Sequence, residues 1–225
     1  MAYREEDLIS NPTPRCACML LLDTSGSMVG KPLSELMEGV NQFISEIKAD
    51  DFAASSVELG IITFGGEVTK VLTFQSVEKI MEEIELTANG NTPMGAAINE
   101  AIKLLESRKN EYKKNGVSYY QPWLVVMSDG APTDDDVFTY AAENLKKQSE
   151  DKKITVFGIG IGDEADLEEL AKFCPSNRPP KRLKGLKFKE FFQWLSQSLS
   201  RVSQSTPGTT QVSLPPPDGW AAIES

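Results

Sequence analysis

The sequence predicts an α/β fold: a mostly parallel central sheet, covered by helices on both faces, with one antiparallel edge strand. Three observations lead there. Apolar runs of strand length alternate with segments whose apolar residues recur every three or four positions, the pattern of strands joined by crossover helices. The first such run, Cys16 to Leu22, is apolar throughout instead of alternating, as a strand buried on both faces is. The run Val57 to Phe64 is followed by Gly65-Gly66, a tight turn, and by Val68 to Phe74 with Thr and Lys interleaved, which reads as a hairpin partner on the sheet edge.

In chain order, Cys16 to Leu22 stops at Asp23 and a Gly/Ser loop and forms the first central strand. Pro32 suits a first helical position, and Leu33, Leu36, Met37, Val40, Phe43, Ile44 and Ile47 form the apolar stripe of a long helix. The hairpin follows, then a short helix over 77–84 and the loop Thr87-Ala88-Asn89-Gly90-Asn91-Thr92-Pro93. Met94, Ala97, Ile98, Ala101, Ile102 and Leu105 mark another helix, and Trp123 to Met127 a fourth strand ending at Ser128-Asp129-Gly130. Asp134, Asp135 and Asp136 precede Val137, Tyr140, Ala141, Asn144 and Leu145, where acidic residues would cap a helix and complement its dipole. Ile154 to Ile161 is a fifth strand, Leu167 to Phe173 a short helix, and Phe188, Phe191, Phe192, Leu195, Leu199 and Val202 the stripe of the last helix, with Trp194 beside it. Residues 1–14 read as an N-terminal extension, 15–204 as the domain, and 205–225 as a Pro-rich tail that is solvated or, alternatively, a polyproline ligand.

Composition narrows the function. A chain of 225 residues, 40% hydrophobic and 25% charged, fits one full domain with a short appendage. Its net charge is −10 and it has no long basic block, so neither nucleic acid nor an anionic membrane is an expected partner. It contains no histidine, which removes Ser-His-Asp and Cys-His catalysis and histidine zinc sites together. The acidic start Met1-Ala2-Tyr3-Arg4-Glu5-Glu6-Asp7 is unlike a secretory signal, no apolar stretch approaches the roughly 20 residues of a membrane helix, and a cytoplasmic protein is expected. Cys16, Cys18 and Cys174 are odd in number and too few for a disulfide framework, and read as buried structural thiols.

The chemistry-bearing residues gather at strand ends. In open parallel sheets ligands bind outside the carboxyl ends of the strands, and here those ends carry Asp23-Thr24-Ser25-Gly26-Ser27 and Ser128-Asp129-Gly130, with Asn91-Thr92-Pro93 in a connecting loop. Carboxylates and hydroxyls without histidine or cysteine match the hard-oxygen preference of Mg²⁺ or Mn²⁺ and disfavour zinc. Alone, Asp-Thr-Ser-Gly-Ser would read as a capped turn; with Thr92 and Asp129 at the matching strand ends a metal site is the better reading.

These residues resemble the metal-ion-dependent adhesion site of von Willebrand factor A domains, with strand and helix order agreeing over about residues 15 to 204. The resemblance implies a three-layer α/β/α Rossmann-like fold in which Ser25, Ser27 and Thr92 ligate the metal directly, while Asp23 and Asp129 hold it directly or through water. Two carboxylates against a divalent cation leave the site near neutral, with one position for an acidic side chain of a partner. That is a binding site more than a catalytic one, and a non-enzymatic adaptor is expected. Asn91 to Gly95, Met127 to Asp134 and the Pro-rich tail resemble the bacterial tellurium-resistance group called TerY, which implies partners among a Ser/Thr kinase and a PP2C-like phosphatase. An alternative is a subunit partner of an AAA+ ATPase.

Rival readings are weaker. Gly26 to Lys31 has three residues between its glycines where a phosphate loop has four, and Pro32 follows the lysine. A haloacid-dehalogenase-type phosphatase would use Asp23 as nucleophile and Gly162-Asp163-Glu164-Ala165-Asp166 as a distal acidic motif, but Ser25 stands where that family has its general acid. The basic stretch Arg178 to Lys189 reads as a solvated loop, with an acidic or phosphorylated partner as the alternative.

Overall fold

The computed structural model describes residues 8, 11–163, 165–208 and 212–222. β1 (Cys16–Asp23) is buried along its whole length and lies between β2 (Val57–Gly65) and β4 (Trp123–Ser128), parallel to both. β3 (Glu67–Ser76) pairs antiparallel with β2 at one edge. At the other, β5 (Thr155–Gly160) and the two-residue β6 (Lys181–Arg182) extend the sheet in parallel. The order β3-β2-β1-β4-β5-β6 reverses direction between β1 and β4, which opens a crevice outside their carboxyl ends.

Helices cover both faces, which accounts for the unbroken apolar run of β1. Cys16, Cys18, Leu20 and Leu22 point into one cluster with α1 (Lys31–Ala49) and the final helix α6 (Phe188–Ser203). Ala17, Met19 and Leu21 point into the other with α3 (Met94–Lys114), α4 (Asp135–Glu150) and the short α5 (Leu167–Ala171). Phe188, Phe191, Phe192 and Trp194 pack in the core as their spacing predicts. Cys16 and Cys18 share one face while Cys174 lies on the other, so the three cannot form one site. No helix among the described residues is long and apolar enough to cross a membrane.

Several local expectations are corrected. In place of a helix over 77–84 there is one 3-10 turn, Val77–Lys79, followed by extended chain. The Asn41 side chain explains this: its Oδ1 accepts from Ile84 N at 2.8 Å and its Nδ2 donates to Ile84 O at 3.0 Å, taking both backbone groups a helix would need. An unforeseen α2 (Asp51–Ser56) follows α1, capped by Asp50, which accepts from Phe52 N and Ala53 N at 3.0 Å. The expectation of a solvated tail fails for residues 212–222. Trp220, 2% exposed, stacks edge-on against Phe191 with centroids 4.9 Å apart, and Ala221 bridges antiparallel to Leu183. Trp194 Nε1 donates to Pro215 O at 2.8 Å, so the prolines keep a segment without its own helix or strand in register with α6. The basic stretch is likewise dispersed: Leu183 is buried, Lys181 and Arg182 form β6, and Lys189 pairs with Glu38 at 2.8 Å.

A buried ionic cluster ties the amino ends of β1 and β2 to α3. Glu58, 1% exposed, accepts from Arg108 Nε at 2.6 Å and from the Tyr112 hydroxyl, with Arg15 Nε at 3.4 Å. Arg15 also donates to the carbonyls of Asn11, Thr13 and Ser55. Burial disfavours the Arg108 charge, but the hydrogen bond and charge of Glu58 outweigh it and raise its pKa above the ordinary arginine value.

Two predictions follow from this packing. Glu58→Ala removes the buried carboxylate that the Arg15 and Arg108 guanidinium groups share and should lower stability by about 3–5 kcal/mol, read as a shifted urea midpoint. Burial pushes the Cys16 and Cys174 thiols up to about 12, and Cys18 well above its usual value, so all three are protonated at neutral or mildly alkaline pH. A thiol reagent applied under those conditions should leave the native protein unmodified and titrate three thiols once it is unfolded.

Candidate metal centre

Asp23 is the last residue of β1, and its side chain has no exposed surface. Its Oδ1 accepts from Ser25 N at 2.8 Å, the bond that turns the chain away from the sheet, and its Oδ2 accepts from the Ser128 hydroxyl at the end of β4. Ser25 Oγ lies 3.0 Å from Ser27 Oγ, and Ser27 Oγ donates to Asp129 Oδ1 at 2.9 Å. Asp23, Ser25, Ser27 and Asp129 are therefore joined in one hydrogen-bonded run across the crevice between β1 and β4.

Thr92 reaches the same rim through backbone contacts. Gly26 N donates to Gly90 O at 3.0 Å, Asn89 N to Thr24 O at 2.9 Å, and Gly66 N to Asn91 O at 2.7 Å. These bonds demand close approach. A Cβ on Gly65 would stand 2.0 Å from Thr24 O, and Gly90, at φ +65°, would carry one 2.5 Å from Gly66 Cα. Thr92 is 7% exposed, and its hydroxyl makes no hydrogen bond to another described residue, which leaves that oxygen available to a ligand.

Asp134 corrects a sequence expectation. It stands at the start of α4 but gives that helix no side-chain cap. Its two oxygens instead accept from Gly95 N at 3.0 Å and Ala96 N at 2.8 Å, capping α3 directly behind Thr92. Thr133 completes the brace, with its hydroxyl accepting from Thr92 N at 3.1 Å and its own N–H donating to Thr92 O at 2.9 Å. Sequence reasoning missed Asp134 and Thr133 as supports of the site, because both act across 38 to 41 residues of chain.

The electrostatics fit a divalent cation. Burial raises the Asp23 pKa above its usual value; hydrogen bonds from Ser128 and Ser25 oppose the rise, and the charge of Asp129 adds to it. Neither Asp23 nor Asp129 forms an ion pair among the described residues. A buried carboxylate is ordinarily paired or bound to a metal, and every available donor here is a hard oxygen. Among the described residues no group of three or more His, Cys, Asp or Glu side chains is placed to hold a metal ion, so a metal at this rim would depend on the hydroxyls of Ser25, Ser27 and Thr92. Of the distal acidic motif, Asp166 caps α5, with Oδ1 accepting from Glu168 N and Glu169 N at 3.0 Å, and Glu164 lies outside the described residues.

A three-layer α/β domain with carboxylates and hydroxyls at its switch-point rim defines a class of ligand-binding module, and comparison with known proteins gives the family. The chain belongs to the von Willebrand factor type A domain family, whose model matches residues 18–212. The family is one of metal-dependent adhesion and protein-interaction modules. Among curated proteins the chain is similar to inter-alpha-trypsin inhibitor heavy chain H2 of Mus musculus, 25% identical over 171 residues that make up 75% of this chain and 18% of that protein. The chain thus spans about a fifth of the length of the curated relatives it matches. Among solved structures it shares its fold with the pilus adhesin SpaC of Lactobacillus rhamnosus GG in the open conformation (TM-score 0.67, 12% identity, 84% of this chain and 30% of that one). It also shares it with the manganese-loaded TRAP protein of Plasmodium vivax (TM-score 0.55, 23% identity, 75% of this chain and 68% of that one).

Asp134→Ala should leave two N–H groups of α3 without acceptors and cost about 1–2 kcal/mol. Chemical denaturation should show the loss, whereas Asp135→Ala, which carries no such bond, should unfold like the wild type.

Proposed function

We propose that this chain is a non-enzymatic adaptor that binds protein partners through one Mg²⁺ or Mn²⁺ held by Asp23, Ser25, Ser27, Thr92 and Asp129. The observation that carries the reading is the Asp23 carboxylate: fully buried, joined through Ser25 and Ser27 to Asp129, and answered by hydroxyls and an N–H where a structural carboxylate would have a cation. A divalent cation would supply that missing charge. In the proposal the hydroxyls of Ser25, Ser27 and Thr92 contact the ion, and the two carboxylates balance its charge directly or through water. A carboxylate-bearing partner then completes the coordination shell, as hard cations accept six or more oxygens.

For the partner we propose a protein that presents Asp or Glu to the rim, with neither nucleic acid nor a membrane involved. A Ser/Thr kinase and PP2C-like phosphatase as companions, and a TerY-type tellurium-resistance setting, rest on the sequence resemblance at 91–95, at 127–134 and in the Pro-rich tail, and a cytoplasmic location on the acidic start of the chain and its cysteine usage. The curated relatives, named as inter-alpha-trypsin inhibitor heavy chains, add nothing to that narrower assignment.

Manganese provides a direct test because its spin signal reports free ion. Wild-type protein should bind one Mn²⁺, gain thermal stability as the ion is added, and release it to Mg²⁺. Thr92→Ala and Ser27→Ala, which leave the charge unchanged, should each weaken Mn²⁺ by about tenfold, equal to about 1.4 kcal/mol. Wild-type affinity in both variants would overturn the assignment of these ligands.

A further inference from the structure

The pole opposite the rim carries a second feature that the metal site does not use. Between the amino ends of β4 and β5 and the carboxyl ends of α3 and α4 lies an open groove of about 1370 Å³. Its basic side chains stand out in a chain of net charge −10. Two of the six are neutralised locally, Lys109 by Glu106 and Lys153 by Asp151 at 3.2 Å. Lys113, Lys147, Lys152 and Arg178 also line the groove and form no ion pair with another described residue.

The fold explains part of this. Lys113 and Lys147 sit in the last turns of α3 and α4, where cations complement the helix dipole. That argument does not reach Arg178, which lies on no helix and holds its guanidinium 5.2 Å from the centre of the Phe157 ring. Nor does it reach Ser149. This groove residue is only 8% exposed, and its hydroxyl is buried without any hydrogen-bond partner. An unpaired buried hydroxyl costs stability, so a ligand that drew the Ser149 hydroxyl to the groove wall and accepted from it, beside three exposed lysines and Arg178, would offset that cost.

We propose that this groove is an anion-binding site for a short acidic segment of polypeptide. Its volume exceeds the roughly 300–1,000 Å³ of ordinary small-molecule pockets, so the ligand is extended. The free cations are mostly lysines, flexible point charges that can follow a run of carboxylates without the fixed forked geometry of arginine. The aromatic residues of the groove are poor platforms for nucleic-acid bases. Trp123 is 4% exposed and packs on Phe157 at 5.0 Å, and Tyr119 leans on Tyr112 at 5.4 Å. The strongly negative remainder of the protein would also repel a long polyanion and tolerate only a short one.

The test uses fluorescein-labelled octaglutamate and fluorescence anisotropy in EDTA, which silences any carboxylate binding at the metal rim and so keeps the two proposals separable. Wild-type protein should bind the peptide at about 50 mM salt and lose it as salt screens the lysines. A Lys113→Gln, Lys147→Gln, Lys152→Gln triple variant should bind about tenfold more weakly. Ser149→Ala should also bind more weakly while its thermal midpoint equals or exceeds that of the wild type, since alanine removes an unpaired hydroxyl. Absence of binding by the wild type, wild-type affinity in both variants, binding that requires Mg²⁺, or tighter binding of an oligothymidylate than of the peptide would each overturn the proposal.

Discussion

The arrangement of the domain depends on holding a carboxylate, Asp23, out of water at the end of its most central strand. An ionised group is tolerated there because fixed donors meet it, Ser25 N on one oxygen and the Ser128 hydroxyl on the other, against the burial and the neighbouring charge of Asp129 that oppose it. Each partner arrives by a different route. Ser25 is placed by the turn Asp23 itself nucleates, and Ser128 by the parallel register that sets Leu22 opposite Met127. The loop carrying Thr92 is fixed by glycines that let three backbones touch. Loss of the sheet register would lose the site, whereas changes on the outer faces of the helices need not reach it.

A second buried carboxylate shows what this chain does when charge is structural. Glu58 lies on the neighbouring strand β2, near its amino end, and is as buried as Asp23. It is fully answered, by Arg108, Arg15 and the Tyr112 hydroxyl. Desolvation was the same problem in both places, yet only one was solved with cations from the chain itself. Had Asp23 been retained for stability alone, an arginine beside it or a neutral residue in its place would serve better, since a buried charge without a counterion is a net cost. The contrast within one sheet is the physical ground for reading Asp23 as a functional group.

Much of this was legible in the sequence, and the boundary between legible and hidden follows the range of the interaction. The unbroken run Cys16 to Leu22, the stripes of α1 and α6, and the motif residues Asp23, Ser25 and Ser27 are encoded by spacings within a few residues of one another. Asp134 caps α3 and not the helix it precedes, although local rules place an acidic residue ahead of Val137 at a cap. Only tertiary packing brings Gly95 N and Ala96 N nearer. Asn41 melts the segment over 77–84 from 43 residues away. Residues 212–222 have no periodicity of their own, so their seat against Phe191 and Trp194 could not be read from composition. Glu58 and Arg108 are 50 residues apart, and nothing in either local pattern announces that they meet.

The polarity of the sheet connects the two ends of the molecule. Parallel strands send every carboxyl end to one pole and every amino end to the other, and the crossover helices run back against them. Helix N-termini therefore gather at the Asp23 rim, where α3 and α4 begin beside Thr92 and Asp134 and their dipoles favour negative charge. Helix C-termini gather at the opposite pole, where the same dipoles favour Lys113 and Lys147. The fold thus separates charge before any ligand is considered: acidic groups concentrate where a cation can be held, and basic groups collect where an anion can. What topology alone does not require is the absence of compensation at either pole. At both, the described structure leaves charges unanswered, Asp23 and Asp129 at one and Lys113, Lys147, Lys152 and Arg178 at the other. The two poles differ in what that costs: Asp23 is buried, where a missing counterion is a penalty that a bound cation would offset, whereas the lysines are exposed and solvated, so that their pole carries a positive field at little expense in stability.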